Sequence, residues 1–138
     1  GDLDTIMKEV SEGTAIGVGD GKVVKWIIES AALNDEEIAE LTRLISKIVV
    51  ETVGPEKANN VFVKTSTGFY TPEDGGPGGA TTDAVSIMSA NAGPLKVKAS
   101  GGIYSRDDLN KMIDAGASRV GTSAGVEIIQ GKESNTDY

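Results

Sequence analysis

Two lysines in this sequence stand where lysine is least at home. Lys64 interrupts VFVKTSTGF, Val61 to Phe69, and Lys98 interrupts LKVKASGG, Leu95 to Gly102. Each run begins as a β-strand and ends in small hydroxyl residues and glycine. Side chains alternate across a strand, so Phe62, Lys64 and Ser66 share one face while Val61, Val63 and Thr65 share the other. A lysine inside an apolar strand must pair its charge or lose it. The neutral amine is a nucleophile that forms a Schiff base with a carbonyl. The competing reading is a strand-end lysine that snorkels to water, the commoner fate of such residues. If Lys64 and Lys98 face one mouth, like-charge repulsion lowers the pKa of each, and one can be neutral near neutral pH. Lys96, nearer its strand start, reads as structural. Glu29 ends the first strand and can either line the same mouth or form a salt bridge.

A second chemistry sits beside the first. Gly101-Gly102 follows Lys98, and Gly121-Thr122-Ser123-Ala124-Gly125 opens a short helix. Glycines let the backbone approach a ligand, and exposed amide groups attract an anion. The alternative is that these glycines only turn the chain from strand to helix. Two such turns at consecutive strand ends favour a phosphate cradle.

Composition removes other chemistries. There is no His and no Cys. Ser-His-Asp and Cys-His catalysis are therefore excluded within this chain, and acid/base work falls to Lys, Asp, Glu, Tyr or water. Disulfides are excluded, and the usual structural zinc ligands are missing. A net charge of −8 argues against nucleic-acid binding. No apolar run approaches the ~20 residues of a membrane helix. No leader pattern opens the sequence and nothing points to export, so the expectation is a cytoplasmic protein.

The elements that must position these groups follow in order. Apolar spacing predicts a helix over Asp2 to Glu12, N-capped by Asp2 and stopped at Gly13. Thr14 to Lys22, with Gly17, Gly19 and Gly21, reads as a turn or loose loop. Val23 to Glu29 reads as a strand. A helix starts at Asn34-Asp35-Glu36-Glu37 and runs to about Val53, where Gly54-Pro55 ends it. After a connector comes the Lys64 strand, then the Gly/Pro-rich loop Tyr70 to Gly79. Thr81-Thr82-Asp83 caps a helix to about Ala92. Leu95 to Ser100 is a strand, and Ser105-Arg106-Asp107-Asp108 is a capping box whose helix ends at Gly116. Ser118 to Thr122 is the last strand, Ser123 to Ile129 a short helix, and 131–138 a frayed tail. Strands alternating with helices imply one α/β domain over 1–138 with a parallel sheet of (β/α)-barrel type. All three chemical features fall at strand C-terminal ends, where such folds place their sites.

FVKTSTGF, GGAT (Gly78 to Thr81), VKASGGI (Val97 to Ile103) and AGASRVGTSAGV (Ala115 to Val126) resemble the deoxyribose-phosphate aldolase family. KWIIESAALNDEEI, Lys25 to Ile38, resembles that family's fifth strand and the helix start after it. The likeness covers nearly the whole chain, and KTSTGF is its most specific motif. It implies a class I aldolase on a (β/α)8 barrel. Such enzymes cleave 2-deoxyribose 5-phosphate to glyceraldehyde 3-phosphate and acetaldehyde, in deoxyribonucleotide catabolism, with no metal and no cofactor. By this resemblance Lys64 carries the Schiff base and Lys98 is its companion. Gly68, Gly101, Gly102, Gly121 and Ser123 would hold the substrate phosphate.

The sequence also departs from the family. Tyr104 stands where many members carry an Arg toward the phosphate, Ala124 where some carry a second Ser, and the Tyr70 to Gly79 loop is longer than usual. The chain matches the second half of the barrel only, strands five to eight, and nothing aligns with the Asp that serves proton transfer. An open four-strand parallel sheet exposes two edges and the face meant for the barrel interior. The expected partners are thus a small phosphorylated sugar and an N-terminal half, in the same or a separate chain. Pairing of two copies is a further route to closure, and a homo-oligomer is left open. The rival readings are a non-catalytic phosphate-binding half barrel, a subunit active only with its other half, and another Schiff-base or phosphate barrel enzyme.

Overall fold

The computed structural model describes residues 2–132. The helices are α1 (Leu3–Gly19), α2 (Asp35–Val53), α3 (Pro55–Ala58), α4 (Thr82–Asn91), α5 (Arg106–Asp114) and α6 (Gly125–Ile129). The strands are β1 (Val24–Ile27), β2 (Val61–Lys64), β3 (Lys96–Ser100) and β4 (Arg119–Gly121). They form one sheet of order β1-β2-β3-β4, parallel throughout. Among the described residues no helix is long and apolar enough to cross a membrane.

The two faces of the sheet differ in kind. Val61, Val63, Val97 and Ala99 are buried on one face, under Val10 of α1, Ile45 and Val49 of α2, and Val85 and Met88 of α4. The opposite face carries Lys25 and Ile27, Phe62 and Lys64, Lys96 and Lys98, and Arg119, as strand alternation and register require. Lys25, Ile27, Lys96 and Arg119 are exposed there. Phe62 is shielded because the Lys96 ammonium lies 5.9 Å and the Arg119 guanidinium 4.7 Å from its ring centroid. This is half a barrel wall: helices cover its outside and its inside is open.

The caps follow their chemistry. Asp2 accepts from the Thr5 N–H, the Asn34 and Glu37 pair closes a capping box, and Ser105 with Asp108 closes another. Gly54, at φ 81°, ends α2 before Pro55 starts the single turn of α3.

Three expectations need correcting. The first helix does not stop at Gly13, and Thr14 to Gly19 is not a loop. The glycines there serve packing: a Cβ on Gly13 would stand 2.8 Å from the Trp26 ring, and one on Gly17 2.4 Å from a Val24 methyl. Their lack of a side chain lets α1 lie directly on β1, and Trp26 Nε1 donates to the Thr14 hydroxyl at 3.0 Å. The actual stop is at Asp20-Gly21, where Gly21 turns left-handed at φ 70°. The first strand ends at Ile27 rather than Glu29, because Glu29 itself adopts a left-handed backbone, φ 53°, and leads into a 3₁₀ turn at Ser30–Ala32. The last helix starts at Gly125, two residues beyond Ser123. Of the tail expected to fray, 133–138 lie outside the described residues.

Candidate active site

Lys64 is the last residue of β2 and Lys98 the third of β3, and the two are register partners on the same open face. Both are half-buried. Burial lowers the Lys98 pKa below the ordinary lysine value, and the charges of Lys64, Lys25 and Arg119 lower it further. Lys25 and Arg119 escaped the sequence reading, although alternation along β1 and β4 puts both on the Lys98 face. The Lys98 amine reaches over β4: a Cβ on Gly121 would stand 3.0 Å from its Cε and 3.4 Å from its Nζ. Gly121 therefore leaves the room that this lysine occupies.

The hydroxyl residues after Lys64 tie β2 to β3. The Ser66 hydroxyl donates to the Ser100 carbonyl at 2.6 Å, and the Ser100 hydroxyl donates back to the Ser66 carbonyl at 3.1 Å. The Thr65 hydroxyl donates to the same Ser100 carbonyl at 3.2 Å and accepts the Ser100 N–H at 3.0 Å. Thr65 and Ser66 are fully buried. Ser66 thus leaves the strand-face pattern expected of it, because the chain turns once β2 ends at Lys64. These bonds hold the strand ends that carry the two lysines.

A cleft of about 410 Å³ opens beside this knot, lined by Gly68, Tyr70, Gly79, Gly101, Gly102 and Tyr104 among others. Gly68, Gly101 and Gly102 all have left-handed backbone, at φ 92°, 82° and 74°. The 78–81 segment docks onto the end of β3 as backbone on backbone: a Cβ on Gly79 would meet the Gly101 carbonyl carbon at 2.4 Å. The Ala80 N–H donates to the Ser100 and Gly101 carbonyls. Three of the five expected phosphate-binding residues therefore share one cleft. Gly121 packs on Lys98 instead, and Ser123 is exposed outside the cleft lining. The turn that holds them is anchored by the Thr122 hydroxyl, which donates to the Ile103 carbonyl at 2.6 Å. The Tyr104 N–H donates to the Asp108 carboxylate at 3.2 Å. Among the described residues no group of three or more His, Cys, Asp or Glu gathers in metal-binding range.

No family model matches the chain. Deoxyribose-phosphate aldolase of Staphylococcus haemolyticus is 46% identical over 139 residues, which is 100% of this chain and 55% of that protein. The chain is homologous to deoxyribose-phosphate aldolases. The Staphylococcus saprophyticus deoxyribose-phosphate aldolase is 45% identical with the same coverage. Among solved structures, an aldolase named QR15 superposes with a TM-score of 0.71 at 35% identity, covering 93% of this chain and 50% of its own. The tetrameric deoxyribose phosphate aldolase of Aeropyrum pernix gives 0.68 at 31% identity, covering 93% and 49%. The chain spans about half the length of the curated aldolases it matches. The four-strand sheet agrees with that share, as half of an aldolase barrel.

Proposed function

We propose that this chain is the Schiff-base half of a deoxyribose-phosphate aldolase barrel. The observation that carries the reading is the pairing of Lys64 with Lys98 across β2 and β3, with the Lys98 proton held less tightly than an ordinary lysine's. In this reading the Lys64 amine attacks the aldehyde carbon of open-chain 2-deoxyribose 5-phosphate. Loss of water gives an iminium. The hydroxyl on the third carbon then gives up its proton as the bond between carbons two and three breaks. The electron pair of that bond flows into the iminium, leaving an enamine on Lys64 and releasing glyceraldehyde 3-phosphate. Protonation of the enamine carbon and hydrolysis free acetaldehyde and restore Lys64. Lys98, whose proton is held less tightly than an ordinary lysine's, is the companion in these transfers. The backbone at Gly68, Gly101 and Gly102 takes the phosphate end, with Gly121 and Ser123 at the adjoining turn. The substrate is a small phosphorylated sugar, a reading that carries a cytoplasmic location with it.

The open sheet face favours a second feature, a barrel completed by an N-terminal half in the same or another chain. Such a half would cover Ile27 and pair the free edges of β1 and β4, and it would bring the proton-transfer acid. A phosphate-binding half barrel without turnover is the alternative. Incubation with acetaldehyde and sodium borohydride, followed by intact mass, separates the two. The aldolase reading expects one ethyl adduct on the folded wild type and none on Lys64→Ala. A folded wild type without an adduct leaves the binding reading.

A further inference from the structure

Glu29 is the one non-glycine residue among those described that holds a left-handed backbone, φ 53°. A left-handed glutamate is disfavoured by its Cβ, and such conformations persist where the surroundings enforce them. The surroundings here are specific. The Glu29 carboxylate accepts the Thr67 N–H with both oxygens, each at 3.1 Å, and the Thr67 hydroxyl at 2.5 Å. The Thr67 hydroxyl oxygen in turn accepts the Phe69 N–H at 3.2 Å. On either side of Glu29 the backbone is pinned to the Lys64 strand: Ile28 N–H donates to the Lys64 carbonyl and Ser30 N–H to the Thr65 carbonyl. The left-handed kink turns the Glu29 side chain toward the turn after Lys64. Gly68, which that turn presents, is part of the cleft wall with Gly101 and Gly102.

We propose that Glu29 is a positioning residue: its carboxylate clamps the Thr67-Gly68 turn and thereby sets the affinity of the cleft for the phosphorylated end of the sugar. The inference rests on the aldolase reading for its substrate. The clamp itself stands on the geometry. Its bonds go to Thr67 rather than to Lys64, so removing the carboxylate weakens capture of a phosphorylated sugar and spares attack on a two-carbon aldehyde that does not reach the cleft.

The informative variant is Glu29→Gly, because glycine accepts the left-handed backbone without strain and takes away the side chain that carries the carboxylate. Glu29→Gln is the conservative companion, retaining an acceptor for the Thr67 N–H. Two measurements decide the matter on wild type and both variants. The first is the sugar concentration giving half-maximal borohydride trapping with 2-deoxyribose 5-phosphate, set beside trapping with acetaldehyde. The second is amide hydrogen exchange at Thr67 and Phe69. In Glu29→Gly the half-maximal sugar concentration should rise about tenfold or more, the loss of a charge-assisted bond. Acetaldehyde trapping should stay within about twofold, and Thr67 exchange should quicken about tenfold or more. Glu29→Gln should fall between. An unchanged sugar concentration, or equal losses with both aldehydes, overturns the proposal. No adduct from wild type with either aldehyde sinks the aldolase reading instead. In that case exchange at Thr67 still decides, and unchanged exchange in Glu29→Gly ends the clamp.

Discussion

Thr65→Val removes a hydroxyl and leaves the side-chain volume nearly unchanged, so its effect isolates hydrogen bonding at the knot behind the two lysines. The Thr65 hydroxyl does two things: it donates to the Ser100 carbonyl at 3.2 Å and accepts the Ser100 N–H at 3.0 Å. The carbonyl keeps two other donors after the change, the Ser66 hydroxyl at 2.6 Å and the Ala80 N–H at 3.0 Å. The Ser100 N–H loses the acceptor it has here, in a residue only 4% exposed. An orphaned buried donor costs about 1–3 kcal/mol, on top of roughly 1 kcal/mol for the bond itself. Ser66→Ala is the control. It removes one donor from the same carbonyl and orphans nothing there, so its cost is about 1 kcal/mol. Thr65→Val should thus destabilise by about 2–4 kcal/mol, two to four times the control, and lower the melting temperature by roughly 6–16 °C. Urea unfolding followed by circular dichroism, with slopes compared to confirm two-state behaviour, measures both. Equal costs for the two variants, or a smaller cost for Thr65→Val, would refute the assignment of Thr65 as the acceptor that holds β3 to β2.

Other expectations follow from the charges on the open face. The Lys98 pKa is lowered, so in the window between its folded value and the ordinary 10.5 the unfolded chain binds more protons, and stability rises with pH. Lys98→Met should therefore raise the melting temperature at neutral pH, and its advantage over wild type should shrink as pH climbs toward 10.5; an advantage that grows with pH contradicts the sign. Lys25, Lys64, Lys96, Lys98 and Arg119 share the sheet face that would become a barrel interior, in a chain whose net charge is −8. Two copies closing face to face would bring both sets of cations together in a low-dielectric space, so sedimentation at low salt should show no compact closed dimer. Such a dimer in 20 mM salt, dissociating in neither low nor high salt, would mean that the face finds its complement in a second copy.

The local elements were legible because their signals are local. Asn34 with Glu37 and Ser105 with Asp108 form capping boxes from side chains three residues apart, and Gly54-Pro55 forbids continuation of α2 whatever surrounds it. The strand alternation that put Lys64 and Phe62 on one face depends only on the backbone period. Parallel pairing followed from the alternation of strands with helices, and motif likeness pointed to the aldolases to which the chain is homologous. The failures came where a distant residue overrode a local preference. Gly13 and Gly17 look like helix breakers in isolation, yet they stay helical because Trp26 and Val24 need the space a side chain would fill. Glu29 has no local reason to turn left-handed. The three bonds it makes to Thr67, 38 positions away, explain the turn.

What the sequence determined by itself was the kind of chemistry: lysines within apolar strands, no histidine to compete with them, glycines where a phosphate would approach. The tertiary structure decided how those groups are shared out. Register set Lys64 opposite Lys98, and packing put Gly121 under the Lys98 amine rather than in the cleft with Gly68, Gly101 and Gly102. Residue types and short spacings record what a side chain can do. Which side chains meet depends on strand register and on close contacts between segments far apart in the chain, and no local stretch encodes either.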